Sequence, residues 1–505
     1  MTQVMVAGAG PTGLMLACEL LRAGVSVQLV DRAARRGAAS RAAGLHPRTM
    51  EVLDQRGMVE EFLAAGRPLA RVPHFAGIGI DWSMLPTRYP YLFGLLQTDT
   101  ENILERFAQR LGVDVQWSTE VVGFSQHSDG VSVTLRTPNG TAQERLDYLV
   151  GCDGARSAVR RCAGIAFDGS DGRTVTLLGD VELDDPQSSW RIYDRHAAGV
   201  LTVMPLGSLA GRTWCRVMAT EYEPEKPHEP VSLPRLRECA IRIAGTDFGM
   251  HTPLLLSAFT DTRRQAIQYR SGRVLLAGDA AHIHPPMGAQ GMNLGIQDAV
   301  NLGWKLASVV NGHASEALLD SYHAERHPQA ARVLANTQAQ SALLGPGDDV
   351  TAMRGQLASM LIADRTNEQL AASMSGLDVC YADAAPHPLI GRRVPDGEII
   401  TMAGCARIYS MLHTQRALFV DFEAQPERAG ALPDTIDYVA AQKTVHRWRL
   451  PVLGWIEVPS ALLIRPDGHV AWASSDSPLH GLLEALDALE GSSRGCSSTM
   501  TDRCR

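Results

Sequence analysis

Three stretches that lie far apart in the 505-residue sequence share one pattern: an apolar segment, a glycine-containing turn and then an amphipathic segment. They read QVMVAGAGPTGLMLACELLRAGVSVQLVD from Gln3, YLVGCDGARSAVRR from Tyr148, and GRVLLAGDAAHIHPPMGAQGMNLG from Gly272. In an open α/β sheet the turns at the carboxyl ends of the strands gather at one edge, where ligands bind. The pattern therefore predicts one α/β sheet built from distant segments, with all three turns facing one ligand.

The first turn contains the G-x-G-x-x-G pattern of a dinucleotide-binding loop. Gly8 allows the tight turn, Gly10 lets the backbone approach a pyrophosphate, and Gly13 lets the helix pack closely on the strand. The N-terminus of the helix then offers unpaired N–H groups to that anion. Asp31 ends the next strand, where an acidic side chain would hold a ribose hydroxyl. This context disfavours the alternative of a glycine-rich turn that binds nothing.

The second stretch places Asp153 and Gly154 directly after a strand, with Ser157 in the position of a helix N-cap. Taken alone, it is read equally well as a capped loop that binds no ligand. Its likeness to the other two turns favours a place at the same site.

The third stretch combines a charged turn, a rigid corner and a helix start. Asp279 follows a strand, where its carboxylate could accept a hydrogen bond from a sugar hydroxyl. Pro285–Pro286 fixes the backbone and removes two donors, which makes a rigid wall, and Gly288 and Gly291 let a flat group approach the main chain. The next helix presents a positive pole at its N-terminus. These features suit a planar cofactor that carries negative charge while it reacts.

Two further features belong to this stretch. His282 and His284 form a His-x-His pair, but no companion ligand set stands at metal-binding spacing. We therefore expect structural hydrogen bonds from both histidines and no metal site. Apolar or small residues recur at alternating spacings of four and three, which predicts a buried helix face formed by Met292, Ile296, Ala299, Gly303, Leu306 and Val310.

Composition limits the classes of partner. A net charge of −8 argues against a nucleic-acid partner, which requires a basic surface. The longest apolar runs fall far short of the roughly 20 residues of a membrane span. Nine cysteines occur without a Cys-x-x-Cys pair, as in a reduced compartment. The chain is expected to be soluble and cytoplasmic, and a homodimer is compatible with the sequence.

Between these stretches the residue composition and the hydrophobic pattern of the sequence change. Residues 68–96 and about 173–268 are rich in alternating β-type residues and aromatic side chains, and TVTLLGDVEL and RTWCRVMAT predict strands of an antiparallel sheet. After about residue 315 the sequence is helical. From about Pro388 another α/β segment begins, with ALFVDF and SALLIRPDGHVAWAS as strand candidates.

Together, the three stretches resemble the class A FAD-dependent aromatic hydroxylases. Further support comes from SRAAGLHPRTMEVL at 40–53, LLQTDTENIL at 95–104 and YHAERHP at 322–328. The chain is most similar to the subgroup that acts on polycyclic aromatic polyketides and related antibiotics, which includes rifampicin monooxygenases. That subgroup carries a C-terminal thioredoxin-like domain without redox cysteines.

The resemblance implies an α/β fold in which a Rossmann-like FAD-binding domain carries an inserted antiparallel-sheet substrate domain. The FAD-binding domain with its helical extension would comprise residues 1–172 and 269–386, with 68–96 contributing to the substrate domain at 173–268. A thioredoxin-like domain at 387–490 and a flexible tail at 491–505 would complete the chain.

The resemblance also implies the cofactor-binding residues. The first motif would hold the ADP part of FAD, Asp279 the ribityl chain, and the turn from Pro286 the isoalloxazine, while Ala289 stands where many members have glycine. The implied residues are Gly8, Gly10, Pro11, Thr12, Gly13, Asp31, Arg32, Arg41, Gln97, Val121, Asp153, Gly154, Asp279, Pro286, Gly288, Gln290, Gly291, Met292 and Asn293.

In the family, NAD(P)H (NADPH more often than NADH) reduces FAD, O2 adds to the reduced flavin, and a flavin C4a-hydroperoxide hydroxylates an electron-rich ring. The catalytic residues stay unknown, because the flavin does the chemistry. Pro286 is a candidate wall beside it, and the phenol-activating tyrosine pair of the simple benzoate hydroxylases cannot be located. A Baeyer–Villiger oxygenase, a flavin reductase and a non-catalytic drug-binding flavoprotein remain the alternatives.

Many of the 28 aromatic side chains lie in the two inserted segments, among them Phe75, Trp82, Tyr89, Tyr91, Phe93, Trp190, Tyr193 and Trp214. Most are expected to form the core of the small sheet, and a few to face a large, flat substrate. The expected substrate-lining residues are Phe75, Trp82, Phe93, Met204, Pro205, Trp214 and Met287.

Overall fold

The computed structural model describes residues 2–37, 40, 42–69, 71–209, 212–222, 230–382, 385–475 and 480–491. Arg41 and, after residue 491, the predicted tail lie outside the described residues. The twelve helices of the described part are α1 (Pro11–Arg22), α2 (Pro47–Gln55), α3 (Val59–Ala65), α4 (Gln97–Arg110), α5 (Ala158–Cys162), α6 (Leu233–Ala244), α7 (Gln290–Val310), α8 (Asp320–Leu343), α9 (Asp348–Met360), α10 (Asp364–Ser375), α11 (Ile408–Met411) and α12 (Leu482–Leu489).

The strands fall into an N-terminal, a middle and a C-terminal group. The first group is β1 (Val4–Ala7), β2 (Val27–Val30), β3 (Gly44–Leu45), β4 (Arg67–Leu69), β5 (Arg71–Phe75), β6 (Ile78–Asp81), β7 (Leu92–Gly94), β8 (Val115–Gln116), β9 (Glu120–His127), β10 (Gly130–Thr137), β11 (Gly140–Leu146), β12 (Tyr148–Gly151) and β13 (Phe167–Ser170). The second is β14 (Val175–Glu182), β15 (Arg191–Arg195), β16 (Gly199–Leu209), β17 (Arg212–Glu221), β18 (His251–Thr260), β19 (Arg263–Ala266), β20 (Arg270–Ser271), β21 (Val274–Leu276) and β22 (His282–Ile283). The third is β23 (Glu398–Thr401), β24 (Gly404–Arg407), β25 (Ala417–Asp421), β26 (Ile436–Lys443), β27 (Arg447–Leu450), β28 (Gly454–Glu457), β29 (Ala461–Ile464) and β30 (Val470–Ser474).

One six-stranded sheet joins the three stretches, in the order β20-β21-β12-β1-β2-β8. The neighbours from β21 to β8 are parallel, and β20 is antiparallel to β21. The strands β1, β2, β12 and β21 are buried along their whole length, as expected for parallel strands covered on both faces. The prediction of one α/β sheet assembled from distant segments is confirmed.

Helix α7 is buried more completely than its sequence pattern indicates. Every residue from Asn293 to Ala307 except Gln297 is buried. On one side α7 packs against α1, where Gly303 leaves room for Glu19. On the other, the C-terminal part of the chain covers it, with Arg465 5.2 Å from the centre of the Trp304 ring. The predicted buried face is confirmed at Ile296, Ala299, Gly303 and Leu306, and the burial extends beyond that face because α7 has a second packing partner.

The middle part of the chain forms a five-stranded antiparallel sheet in the order β15-β16-β17-β14-β18. One face packs on α6, through side chains such as Leu177, Val181, Cys215 and Val217. The pairing of β14 with β17 confirms the two strands predicted from TVTLLGDVEL and RTWCRVMAT. In the described pairings, residues 68–96 form small sheets of their own with β3, so their assignment to the substrate domain stays a prediction.

The C-terminal part forms a six-stranded mixed sheet in the order β24-β23-β26-β25-β29-β30. Its two faces have separate apolar cores, because Leu418 and Val420 of β25 point to one face while Ala417 and Phe419 point to the other. The strands predicted from ALFVDF and SALLIRPDGHVAWAS are confirmed as β25, β29 and β30. The domain limits and the likeness to thioredoxin stay predictions.

Buried polar contacts hold this C-terminal part against the first sheet and its helices. Arg465 binds both carboxylate oxygens of Glu325 on α8, at 2.7 and 2.8 Å, and also pairs with Asp467. Further contacts come from α1 and α2: Arg48 to the Asp467 carbonyl, Glu51 to Arg393, Asp54 to Arg407 and Glu19 to Gln415. Within the described residues, no helix is both long and apolar enough to cross a bilayer.

Candidate cofactor and substrate site

The strand register brings the three turns to one edge of the sheet. Ala7 lies opposite both Val30 and Gly151, and Gly151 lies opposite Leu276. The chain therefore leaves all four strands at the same level, into the loops that carry Gly8, Asp31, Asp153 and Asp279. The third turn also packs on the first helix, since a Cβ atom on Gly278 would lie 2.5 Å from the Thr12 hydroxyl.

Each of the three glycines of the first turn is favoured for a different physical reason. Gly8 has φ +106°, and a Cβ atom there would overlap the carbonyl of Cys152 in the neighbouring turn. A Cβ atom on Gly13 would overlap the carbonyl oxygen of Gly8, so Gly13 sets the close approach of helix and strand. A Cβ atom on Gly10 would meet nothing within 4 Å. Only at Gly10 is there open space, as the approach of a pyrophosphate requires.

Two helix N-termini in this region are left without a protein cap. Among the described residues, no side chain caps α1 at Gly10 or α7 at Ala289, and neither helix has an acidic residue in its first turn. Gly295 of α7 packs against Thr12 of α1, so the two helices start close together. Both ends present unpaired N–H groups and a partial positive charge. This donor set fits the pyrophosphate and the electron-rich ring of FAD.

The carboxylate of Asp31, which was expected to hold a ribose hydroxyl, forms hydrogen bonds with the first turn and with its own loop. One carboxylate oxygen accepts from the Ala9 amide at 2.8 Å, and the other accepts from the Ala33 amide at 2.8 Å. Each oxygen has two lone pairs, so these bonds leave acceptor capacity for a ribose hydroxyl. Asp31 thus fixes the first turn from the neighbouring strand.

The second turn is a capped helix start, as the sequence predicted. Ser157 Oγ accepts from the Arg160 amide at 2.9 Å, and Asp153 Oδ2 accepts from the Ala158 amide at 2.7 Å. Arg160 then donates to the Ala280 carbonyl at 2.8 Å, which ties this loop to the third turn. The sequence analysis missed Arg160, although its place directly after the Asp153 turn was a signal that could have pointed to it.

A buried ionic cluster lies beneath the third turn. Asp298 accepts from His282 Nε2 at 2.6 Å and from Arg326 Nε at 2.8 Å, and it also receives the Gly278 amide at 3.3 Å. Burial alone would raise the pKa of Asp298, but His282 and Arg326 more than offset it and lower that pKa. The Asp298 carboxylate thus holds both ends of the turn, a role that the sequence analysis did not find.

The two histidines of the third stretch are structural, as predicted. His282 belongs to the Asp298 cluster, and His284 shares a hydrogen bond of 2.8 Å with the Pro285 carbonyl. Burial lowers the pKa of His284 to about 4, which keeps it neutral. Within the described residues, no group of three metal-ligating side chains occurs.

The corner from Pro286 to Asn293 was expected to form a rigid wall next to an accessible main chain, and the structure agrees with this in part. Pro286 is exposed, as a wall beside a ligand requires. Gly288 has φ +69°, and a Cβ atom there would lie 2.7 Å from Met374, so this glycine makes room for protein. At Gly291 the nearest atom to a Cβ would be His284 Nε2, at 3.4 Å. The approach of a flat group to the main chain at these two glycines, and their place at the cofactor, stay predictions.

The polar side chains of this corner are bonded to protein. Gln290 Nε2 donates to Asn336 at 2.9 Å. Asn293 accepts from the His46 amide at 2.7 Å and donates to the Ala289 carbonyl at 2.8 Å. These residues can therefore meet a cofactor through their backbone. Met292 is half-buried at the start of the helix.

The remaining expected FAD contacts are scattered around the first turn. Arg32 is exposed after β2. Gln97 accepts from the Ala42 amide at 3.2 Å and donates to Glu101 at 2.8 Å, so it supports the segment next to Arg41. Val121 is buried in β9. Their roles toward FAD stay predictions, as does that of Gly154.

Three of the expected substrate-lining aromatics are core residues. Trp82 and Phe75 are buried against α10, and Phe93 is buried in the main core. The rings of His74 and His46 pack beside Trp82 in the cluster that also contains Phe75, with ring centres 5.8 and 5.5 Å from that of Trp82. His74 also bonds the Gly288 carbonyl at 2.8 Å, so the cluster supports the third turn from behind.

The face of the five-stranded sheet opposite α6 carries the other candidates. Cys215 and Val217 face α6, so Trp214 and Arg216 of β17 lie on the opposite face, with Met204 of β16 directly across from Arg216. Pro205 follows at a register shift in β16. Met287 packs with Ala76, Val200 and Leu344 between this sheet and the third turn.

A buried ion pair on that face also contacts the segment between β2 and β3. Arg216 binds Asp180 at 2.8 and 2.9 Å and also donates to the Ser40 carbonyl. The five-stranded sheet is thereby held against Ser40. The sequence contained the signal, an aspartate inside an apolar strand, but its partner could not be read from it.

Comparison with known proteins gives consistent results. Residues 1–337 match the family described as FAD binding domain, and residues 387–493 match the family described as aromatic-ring hydroxylase, C-terminal. A 12-dehydrotetracycline 5-monooxygenase/anhydrotetracycline 6-monooxygenase of Streptomyces rimosus is 40% identical over 503 residues, which cover 96% of this chain and 97% of that protein. A rifampicin monooxygenase of Streptomyces venezuelae is 41% identical over 480 residues, 94% of this chain and 96% of that protein. The solved structure of the anhydrotetracycline hydroxylase from Streptomyces rimosus has a TM-score of 0.86 at 38% identity and covers 97% of this chain and 99% of its own.

Proposed function

The chain belongs to the FAD-binding aromatic-ring hydroxylases and is a flavoprotein monooxygenase, and on that premise we propose that it hydroxylates a polycyclic aromatic polyketide or antibiotic with O2 and NAD(P)H. The observation that carries the proposal is the pair of uncapped helix N-termini, α1 and α7, that begin side by side at the edge where the three turns meet. The names of the relatives support the substrate class.

FAD would be held along this edge. The α1 N-terminus and Gly10 would take the pyrophosphate, Asp31 the adenosine ribose and Asp279 the ribityl chain. The corner from Pro286 to Asn293 would border the ring system, with the α7 N-terminus toward its electron-rich end. When bound, FAD supplies the activation of O2 with electrons taken from NAD(P)H.

The chain itself orients the reactants and excludes water. The Asp298 cluster fixes both ends of the third turn, and His74 holds the Gly288 carbonyl, so the corner is rigid before any ligand arrives. The sheet face that carries Met204 and Trp214 is tied by the bond from Arg216 to Ser40, and it would form the other wall of the substrate site. A flat substrate between this face and Pro286 would gain apolar burial and stacking.

Titration with aromatic rings of increasing size tests the substrate class. Phenol, 1-naphthol, 1,8-dihydroxyanthraquinone and anhydrotetracycline would be added to the FAD-loaded protein, and flavin absorbance and NAD(P)H oxidation would be followed. We expect micromolar affinity, about −8 kcal/mol, for the three- and four-ring compounds and little for phenol. If phenol stimulates NAD(P)H oxidation as well as any polycyclic compound, the polyketide assignment is wrong.

Products made under labelled O2 separate the alternatives. Mass spectrometry distinguishes one added ring hydroxyl from the ring expansion of a Baeyer–Villiger oxygenase, and both from hydride addition by a flavin reductase. Tight binding of a polycyclic compound without stimulated NAD(P)H oxidation would favour a drug-binding flavoprotein.

Asp279→Ala tests the placement of the cofactor. Asp279 is exposed in the turn after β21, and its carboxylate is proposed to accept from the ribityl hydroxyls. Loss of a hydrogen bond to a charged group is worth about 1.5–3 kcal/mol, so we expect FAD affinity to fall at least about tenfold. Fluorescence titration of the apoprotein with FAD measures it. Asp320→Ala is the control, because the Asp320 side chain is 73% exposed and pairs with Arg270. Unchanged affinity in a folded Asp279→Ala protein would show the placement to be wrong.

A further inference from the structure

We propose that the Tyr193 hydroxyl forms a hydrogen bond with a polar group on the polycyclic substrate, which makes Tyr193 a specificity-determining residue. The inference rests on the proposed function, because it requires a substrate between the five-stranded sheet and the third turn. Tyr193 is one of the eight aromatic residues of the inserted segments named in the sequence analysis. Of these eight it alone has a left-handed backbone conformation.

The backbone at Tyr193 is strained. Its φ is +49°, in the left-handed region that a bulky side chain seldom adopts, and the β15–β16 register shifts between Arg191 and Asp194. The Tyr193 amide donates to Thr202 Oγ1 at 2.9 Å, which holds the distortion in place. Such conformations are energetically unfavourable and concentrate at active sites and ligand sites.

The distortion directs the ring toward the third turn. Tyr193 packs on the apolar cluster of Ala76, Val200 and Leu344, next to Met287. The backbone of Gly288 lies within hydrogen-bonding range of the phenol. Tyr193 thus stands between the sheet and the corner that Pro286 begins, which is where the proposed function requires the substrate.

The protonation state of the Tyr193 phenol limits what it can do at the site. Burial raises the pKa of Tyr193 to about 12, although the Gly288 backbone opposes the shift. The hydroxyl is therefore protonated at neutral pH, and it can donate to a carbonyl or accept from a ring hydroxyl but cannot act as a base. Tyr222, in the same cluster, differs because its hydroxyl donates its own proton to the Leu344 carbonyl at 2.6 Å. The Gly288 backbone lowers the pKa of Tyr193, as a donor to the phenol oxygen does, and such a contact does not use the Tyr193 proton.

The test compares two three-ring probes on FAD-loaded Tyr193→Phe: 1,8-dihydroxyanthraquinone, which has hydroxyl and carbonyl groups, and anthracene, which has no polar group. We expect the dihydroxy probe to bind about tenfold more weakly than to the unchanged protein, and anthracene to bind as before. Tyr222→Phe removes a hydroxyl from the same cluster and should leave the ratio of the two affinities unchanged. Flavin absorbance gives the affinities, and FAD content and Tm establish that each variant is folded.

Three results overturn the inference: an equal loss for both probes, no loss for either, or the same change of ratio in Tyr222→Phe. They leave the proposed function standing as long as the unchanged protein prefers polycyclic compounds to phenol. If the unchanged protein binds no polycyclic compound, the proposed function and this inference fall together.

Discussion

Arg465→Ala is expected to lower the free energy of unfolding by about 3–5 kcal/mol, because it removes one partner from a buried ionic cluster. Arg465 is the shared partner of Glu325 and Asp467, whose side chains are 14% and 2% exposed. Burial opposes the charge on Glu325, but Arg465 and Lys305 more than offset it and hold its pKa at about 2. Without Arg465, two carboxylates stay buried with Lys305 as the nearest cation. Urea denaturation followed by tryptophan fluorescence measures the loss.

Arg447→Ala is the matched control for this prediction. It breaks another arginine–carboxylate pair of the C-terminal part, but Arg447 and Glu457 are 64% and 63% exposed. An exposed pair contributes about 0–1 kcal/mol, so the control should change stability little. Equal effects of the two substitutions would mean that the interface around Arg465 is hydrated and contributes little.

Gly13→Ala and Gly10→Ala should fail in different ways although both glycines belong to one motif. The Gly13 substitution places a methyl group onto the Gly8 carbonyl, so the helix must move away from the strand. Such overpacking costs about 1–3 kcal/mol or more, and the protein should lose stability even without FAD. At Gly10 the methyl group meets no protein atom. That variant should fold normally and bind FAD at least about tenfold more weakly, because the methyl group occupies the space of the pyrophosphate.

The measurements are Tm of the apoprotein and FAD affinity, taken on both variants. Gly355→Ala is the control, since Gly355 lies in helix α9 with nothing within 4 Å of its Cβ position. Alanine should stabilise that helix by about 0.5–1 kcal/mol. A Gly10→Ala protein with unchanged FAD affinity would contradict the placement of the pyrophosphate.

The features that were predictable from sequence depend on short-range rules. The glycines of the first turn and the Ser157 cap follow from a few adjacent residues, and the shared edge follows from the behaviour of parallel strands. The family resemblance supplied the cofactor, which no local rule contains.

The features that escaped prediction depend on partners far apart in the chain. Arg326 meets Asp298 through the packing of two helices, and Arg216 meets Ser40 across 176 residues. Aromatic composition could not separate Trp82, which is buried in a core, from Tyr193, whose backbone is distorted toward the site. Periodicity likewise reports how many faces of α7 are apolar and not how many neighbours will cover it.

The order of strands in the first sheet also determines when the cofactor edge can exist during synthesis. Strand β12 lies between β1 and β21, and β21 begins at Val274. At about 5–20 residues per second, β1 leaves the ribosome roughly 13–53 s before β21 can join the sheet. In the part of that interval after β12 has emerged, the nascent sheet has an unpaired edge at β12, a template for association with other chains. The turn that carries Asp279 joins the other two only after this interval, so a cofactor that needs all three turns would bind too late to assist the early, aggregation-sensitive steps of folding.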